Sequence, residues 1–209
     1  MNVNDITRLS ELGVATVYEA SGREGLIDIP LIQIIPKRRV AGPARTALCG
    51  QDDNLMVHAI IEHIQPGEVL VLSMPEPAPV ALIGELLATQ AKVRQAAGIL
   101  VDASVRDVNE LIELGLPIWT RFIRVRGATR TKIGELNTTV TVGGAQISTG
   151  DIMVLDADGA VCVKRERAEE VVKASEERLR REAALREKLL GGETSYDLHG
   201  LRKIVERMK

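Results

Sequence analysis

The 209-residue chain has almost no aromatic side chains: one Trp, one Phe and two Tyr make up 2% of it. Platforms on which bases stack are therefore scarce. A formal net charge of -2 supplies no basic footprint either, so no nucleic-acid partner is expected. Cysteine is equally sparse. Cys49 and Cys162 lie far apart, each in an apolar, strand-like context, and they read as buried free thiols rather than as a disulfide or a metal site. Of the three histidines, His58 and His63 are five residues apart, roughly 140° around a helix, and do not share an ion easily. They read as surface or satisfied core residues, and His199 stands alone. A zinc site has little support. No apolar run reaches the roughly 18 residues of a membrane span, and Met1-Asn2-Val3-Asn4-Asp5 lacks the charged-then-apolar pattern of a signal peptide. The expectation is a cytoplasmic protein with no membrane partner.

What the chain does have is enough apolar content for one sizeable core, 45%, and a well-charged surface, 27% Asp, Glu, Lys and Arg. A short helix is expected within Thr7–Glu19, ended by Ser21-Gly22-Arg23-Glu24-Gly25. Val40–Cys49 reads as a turn at Gly42-Pro43 entering a strand, and Asn54–Ile64 as a helix stopped before Pro66-Gly67. Regular alternation follows. Val69–Leu72 is a short β-type run, a helix extends to about Ala97 after the prolines at 75, 77 and 79, and Gly98–Val105 is the next strand. Val108–Leu114 is a helix stopped by Gly115 and Pro117, and Ile118–Phe122 a further strand. The order βαβαβ favours a parallel sheet with helices against it.

Beyond Arg124 the pattern turns to strands and tight turns, a largely antiparallel portion. Asp156-Ala157-Asp158-Gly159 resembles the start of a calcium loop. It lacks the closing glutamate, so a Gly-containing hairpin is expected. A long charged helix is expected from about Glu166 to Leu190, ended by Gly191-Gly192, with a short amphipathic segment at Leu198, Leu201, Ile204 and Val205. The expected division is an α/β domain over 1–165 and a C-terminal helix and tail over 166–209.

The most informative feature is Arg106-Asp107, at the end of the run Gly98–Val105 and separated from Glu85 by twenty residues. Two carboxylates and an arginine thus arrive from the ends of successive elements of one βαβ unit, where open α/β sheets build sites. Each has a bland reading. Asp107-Val108-Asn109-Glu110 matches a capping box, which pattern alone favours, and Glu85 could be merely an exposed helical residue. Arg106 needs an anionic partner if its strand is buried. Arg121, Arg124, Arg126 and Arg130 read as a solvated basic face, with a role in holding an acidic substrate the minority reading. Glu182 falls within about 20° of Val171 on a helical wheel and so sits in or beside the apolar stripe, with Arg178 or Arg186 as the ordinary ion-pair partner.

The chain resembles the class II pyruvate aldolases that cleave 4-hydroxy-4-methyl-2-oxoglutarate and 4-carboxy-4-hydroxy-2-oxoadipate, which are related to the RraA-like proteins. The resemblance runs over nearly the whole chain. It is carried by Ala41-Gly42-Pro43-Ala44, Pro66-Gly67-Glu68-Val69, Gly84-Glu85-Leu86-Leu87, Val101-Asp102-Ala103-Ser104-Val105-Arg106-Asp107, Gly115-Leu116-Pro117 and Gly150-Asp151 through Asp156-Ala157-Asp158-Gly159. Glu85 stands where aspartate is common in that family, and Ala103 where glycine is usual.

The resemblance implies a compact β/β/α fold of the swivelling type, assembled as a homotrimer or homohexamer. It implies Asp107 as direct ligand of Mg²⁺ or Mn²⁺, with Glu182 reaching a neighbouring subunit's metal through water. It implies Arg106 on the keto oxygen of a 2-oxo acid substrate, and the backbone amides of Gly84, Glu85, Leu86 and Leu87 around its carboxylate. Glu85, acting through a water, is the candidate for moving the hydroxyl proton. The expected reaction is cleavage of a 4-hydroxy-2-oxo di- or tricarboxylic acid to pyruvate and a second oxo acid. Oxaloacetate decarboxylation would be a side activity. The alternative is a non-catalytic RraA-like regulator contacting ribonuclease E, a group that generally lacks the aspartate after the arginine. A third option is a Schiff-base aldolase using Lys92 or Lys132, although neither lysine has a readable apolar setting.

Overall fold

The computed structural model describes residues 3–207. The N-terminal segment is two helices, not one: α1 (Val3–Leu12) and α2 (Val14–Ala20) are broken at Gly13. Gly13 has φ +80°, and a Cβ there would lie 2.9 Å from Oδ2 of Asp156. That carboxylate oxygen instead accepts the N–H of Val14 at 2.9 Å, tying the start of α2 to the far hairpin. The expected single helix missed this break because its cause is a residue 142 positions away.

After β1 (Ile32–Gln33) comes β2 (Val40–Leu48), which runs straight through Gly42-Pro43, where the sequence pattern suggested a turn. The residue before a proline is pushed to extended geometry, which suits a strand as well as a turn. Here two neighbours decide. β2 pairs parallel with β3 (Val69–Ser73) and antiparallel with β10 (Ile152–Asp156). Between β2 and β3 lies α3 (Leu55–Ile61).

A strand absent from the sequence reading, β4 (Ala81–Ile83), precedes α4 (Glu85–Val93). β5 (Gly98–Val105), α5 (Val108–Leu114) and β6 (Ile118–Ile123) follow as expected. β7 (Glu135–Leu136) and the β8 (Val140–Val142) and β9 (Ala145–Ile147) hairpin then lead to β10 and β11 (Gly159–Val163). β10 and β11 form the expected hairpin, with Asp156 opposite Gly159. After a 3-10 turn at Arg165–Arg167, α6 (Ala168–Leu190) is the long charged helix, and α7 (Ser195–Leu198) and α8 (Leu201–Glu206) end the described chain. No described helix is long and apolar enough to cross a membrane.

The main sheet has the strand order β1-β6-β5-β3-β2-β10-β11, with β4 beside β5 and β7 beside β2. β2, β3, β5 and β6 are mutually parallel, and β10 and β11 are antiparallel. β5 is buried at every position because both its faces are covered. Ile99, Val101, Ala103 and Val105 pack with α3, α4 and α5 in one core. Leu100, on the opposite face, joins Trp119, the β8–β9 hairpin and Met153 and Leu155 of β10 in a second. The sheet curls far enough for the Trp119 indole N–H to donate to the carbonyl of Asp156 at 2.7 Å. A third core lies on the outer side of β10 and β11, where α1 and α2 meet Ala168, Val171 and Val172 of α6.

The central crossing is tight: a Cβ on Gly42 would stand 2.2 Å from the carbonyl oxygen of Gly67. Gly42→Ala is expected to lower unfolding free energy by about 1–3 kcal/mol through this forced shift, read as a lower urea midpoint with unchanged slope.

Candidate functional site

The parallel strands end on one side of the sheet, and there β5 delivers Arg106 and Asp107 beside the start of α4. Asp107 is left-handed, with φ 59°, a conformation aspartate tolerates better than most residues. Its side chain does not cap α5, so the expected capping box is not formed. Oδ2 of Asp107 accepts instead the backbone N–H of Glu85 at 3.1 Å, the first residue of the neighbouring helix α4. The predicted cap position is right and the capped helix is a different one. Nε of Arg106 lies 3.7 Å from the same oxygen, so the arginine has the anionic partner its position demanded.

Gly84 makes this arrangement possible. A Cβ on it would stand 2.3 Å from Asp107 Oδ2 and 3.2 Å from Arg106 Nε. As the residue before α4 it offers no side-chain cap, so the helix opens with the N–H groups of Leu86 and Leu87 free of any side-chain cap. Both residues line a cavity of about 250 Å³ together with Gly84, Arg106 and Asp107. Free N–H groups, the positive end of a helix dipole and a guanidinium lie together at one cavity, a chemistry suited to an anion.

Not every residue singled out in the sequence reaches it. Glu85 contributes its backbone, while its carboxylate accepts the hydroxyl of Thr89 at 2.9 Å along α4, away from the cavity lining. Glu182 pairs with Arg178 at 2.8 Å, the ordinary partner considered above. It lines a separate concavity with Arg181 and His199. Arg121 is not solvated: Nε donates to the buried carboxylate of Asp102 at 2.6 Å. Burial raises the pKa of Asp102 and the Arg121 charge opposes that rise.

Among the polar residues lining the cavity, Asn54 and His58 escaped the sequence reading as site residues, while Arg130 entered it only through the minority reading of the basic face. Asn54 and His58 come from α3 and its approach, and Arg130 from the 124–134 loop. His58 is not a satisfied histidine, because Nε2 is buried without a hydrogen-bond partner, as is Oδ1 of Asn54. Their i,i+4 spacing shows that they share a helix face, but nothing in the sequence says that this face meets Arg106. Burial lowers the pKa of His58, and the nearby positive charge of Arg130 lowers it further. Cys49 and Cys162 are buried free thiols, both pushed up to about 12 by burial.

Among the described residues no three His, Cys, Asp or Glu side chains converge as a metal cage. Asp107 still suits a hard cation. Oδ2 is occupied by the Glu85 N–H, and among the described residues Oδ1 accepts no hydrogen bond. One free carboxylate oxygen at the mouth of a polar cavity fits Mg²⁺ or Mn²⁺, which keep several waters and need few protein ligands.

Fold and cavity together define an α/β protein with a polar cavity at the carboxyl ends of its parallel strands. Residues 13–162 match the family described as RraA-like, Aldolase/RraA, and the chain belongs to that family. A provisionally named 4-hydroxy-4-methyl-2-oxoglutarate aldolase of Halalkalibacterium halodurans is 31% identical over 140 residues, 67% of each chain. The crystal structure of Streptomyces coelicolor RraAS2, described as an unusual member of the RNase ES inhibitor RraA protein family, superposes with a TM-score of 0.78 at 28% identity. That match covers 89% of this chain and 97% of the other. An uncharacterized Pseudomonas syringae pv. tomato protein shares the fold, with a TM-score of 0.82 at 22% identity, over 93% and 92% of the two chains.

Two outcomes test this geometry. Gly84→Ala should displace Asp107 and abolish anion binding in the cavity, measured by calorimetry with pyruvate, while the far-ultraviolet circular dichroism stays native. His58 should titrate below the ordinary imidazole value of about 6.5 by NMR. Its folded pKa is depressed, so the unfolded chain takes up the proton first as pH falls. Stability should therefore be lost below about pH 6.5, by a margin that shrinks in His58→Gln.

Proposed function

We propose that this protein is a divalent-metal-dependent class II aldolase that cleaves a 4-hydroxy-2-oxo di- or tricarboxylic acid to pyruvate and a second oxo acid. The observation that carries the reading is the free carboxylate oxygen of Asp107 beside Arg106 at the open N-terminus of α4. The aldolase name borne by the H. halodurans relative agrees with it. Asp107 would hold the Mg²⁺ or Mn²⁺. When bound, that ion supplies Lewis-acid polarisation of the substrate's keto oxygen.

This chain's own residues account for the remaining steps. The N–H groups of Leu86 and Leu87 bind the carboxylate of the 2-oxo acid at the helix end. Arg106 donates to the keto oxygen and strengthens that contact as the oxygen gains charge, so it stabilises the enolate of the leaving pyruvate more than the substrate. The hydroxyl proton at C4 leaves as the C3–C4 bond breaks, and Glu85 is its acceptor in this reading, through a water and with its carboxylate turned from Thr89 toward the cavity. Loss of CO₂ from oxaloacetate would give the same enolate, which is the basis for a decarboxylase side activity. Glu182, on α6, and the exposed apolar residues Leu190, Ile204 and Val205 are assigned to contacts with a neighbouring subunit of a trimer or hexamer. In that assembly α6 beyond its packed start, with α7 and α8, acts as the arm by which the C-terminal part reaches the neighbour.

The likeness to RraAS2 supports a second reading, a regulator that binds a ribonuclease. Pyruvate release from 4-hydroxy-4-methyl-2-oxoglutarate separates the two. The aldolase should depend on added Mg²⁺ or Mn²⁺ and stop on chelation. Asp107→Ala should abolish metal-dependent turnover, and Arg106→Ala should lower kcat by about 10²-fold or more. Turnover that persists after chelation removes the mechanism. Absence of turnover together with ribonuclease binding that survives Asp107→Ala selects the regulator.

A further inference from the structure

The wall of the cavity built by α3 and the 124–134 loop carries polar groups that the keto-acid end of a substrate leaves unused. Asn54 is 7% exposed and its Nδ2 donates to the carbonyl of Leu82 at 3.1 Å, yet Oδ1 has no partner. One helical turn on, Nε2 of His58 is likewise buried and unpartnered. Buried polar atoms are nearly always paired, so two exceptions on residues lining one cavity point to ligand atoms that complete them. Arg130 lines the same cavity, and among the described residues its guanidinium has no hydrogen bond or ion pair.

The segment carrying Arg130 is nevertheless held firmly. Oδ2 of the fully buried Asp53 accepts the Thr129 hydroxyl at 2.6 Å and the N–H groups of Thr131 and Lys132 at 2.6 and 3.1 Å. Oδ1 of Asp53 accepts the N–H of Leu55 at 2.8 Å, and Asn54 N–H donates to the carbonyl of Thr129 at 2.9 Å. Hydrogen bonds to its charged form keep Asp53 ionised far below the usual carboxylate range, against the opposing pull of burial. One carboxylate thus fastens both residues flanking Arg130 to the start of α3.

Charge completes the argument. The lining of the cavity holds two arginines, Arg106 and Arg130, and one carboxylate, Asp107, so a monocarboxylate engaged at α4 and Arg106 leaves Arg130 unneutralised. We propose that Arg130, with His58 donating from Nε2, forms a second anion subsite that reads the distal carboxylate of a 2-oxo dicarboxylic acid, while the unpartnered Oδ1 of Asn54, an acceptor, is left for the substrate's hydroxyl. Asp53 is the positioning residue that holds Arg130 in place. This inference rests on the reading that puts the keto-acid end at α4.

Calorimetry with pyruvate, 2-oxopentanoate and 2-oxoglutarate, in the presence of Mg²⁺, tests it without turnover. The last two ligands share a chain length and differ in the terminal charge. Wild type should prefer 2-oxoglutarate over 2-oxopentanoate by about tenfold or more, the worth of a charge-assisted hydrogen bond. Arg130→Ala should erase that preference while weakening pyruvate far less, and Arg130→Lys should restore part of it. Asp53→Asn should narrow the same gap, and if that variant does not fold, the exposed Arg130 carries the test alone. In turnover of a 4-hydroxy-2-oxo dicarboxylate, Arg130→Ala should raise KM more than it lowers kcat.

A preference that survives Arg130→Ala overturns the subsite, even if pyruvate release confirms an aldolase. An Arg130-dependent preference without any turnover keeps the subsite and removes the aldolase. No binding of any of the three ligands overturns both.

Discussion

The bond from the Glu85 N–H to Oδ2 of Asp107 is the contact around which the site is organised. It joins the end of β5 to the start of α4, and it forms only because Gly84 has no Cβ and Asp107 takes a left-handed turn. The bond leaves the other carboxylate oxygen free and sets Arg106 at the same edge. It uses one N–H at the helix start and leaves those that follow without a side-chain cap. A side chain that local pattern assigns to stabilising α5 therefore organises the site on α4.

The rest of the fold holds that edge still. β5 is buried on both faces, between α3, α4 and α5 on one side and the curled remainder of the sheet on the other, so its last residue emerges in a fixed direction. The edge strand β4 runs parallel to β5 and delivers Gly84 level with Arg106, whose N–H donates to the carbonyl of Ile83 at 3.1 Å. The opposite wall depends on buried polar bonding rather than on apolar packing. Asp53 there fastens a loop with no regular structure through three hydrogen bonds, and a fourth ties it to the start of α3. One wall is rigid because strands define it and the other because a buried carboxylate does.

Much of this was legible in the chain. Periodicity marked α3, β3, β5, α5, β6, the β10–β11 hairpin and α6, and the βαβαβ order implied the parallel strands found at the centre of the sheet. The position of Arg106-Asp107 after a largely apolar run placed the pair at the end of a buried strand, where the structure has it. The family resemblance is confirmed by the match over residues 13–162. What escaped has a common cause. β4 is three residues long, too short for a period to show. Gly13 and Gly42-Pro43 are ambiguous until the partners that surround them are known.

Local sequence determined the elements, their order and the apolar faces, because periodicity and turn residues act within a few positions of themselves. It also determined that an arginine and an aspartate stand at the end of a buried strand. The tertiary structure alone decided what those groups do. The Asp107 carboxylate meets Glu85 twenty-two residues away, and Asp53 meets Thr129, Thr131 and Lys132 across more than seventy. Asn54, His58 and Arg130 join the cavity only when α3 and a distant loop pack together. A hydrogen bond is specified by the distance and angle between two atoms, and no spacing along the chain encodes that across an intervening strand and helix.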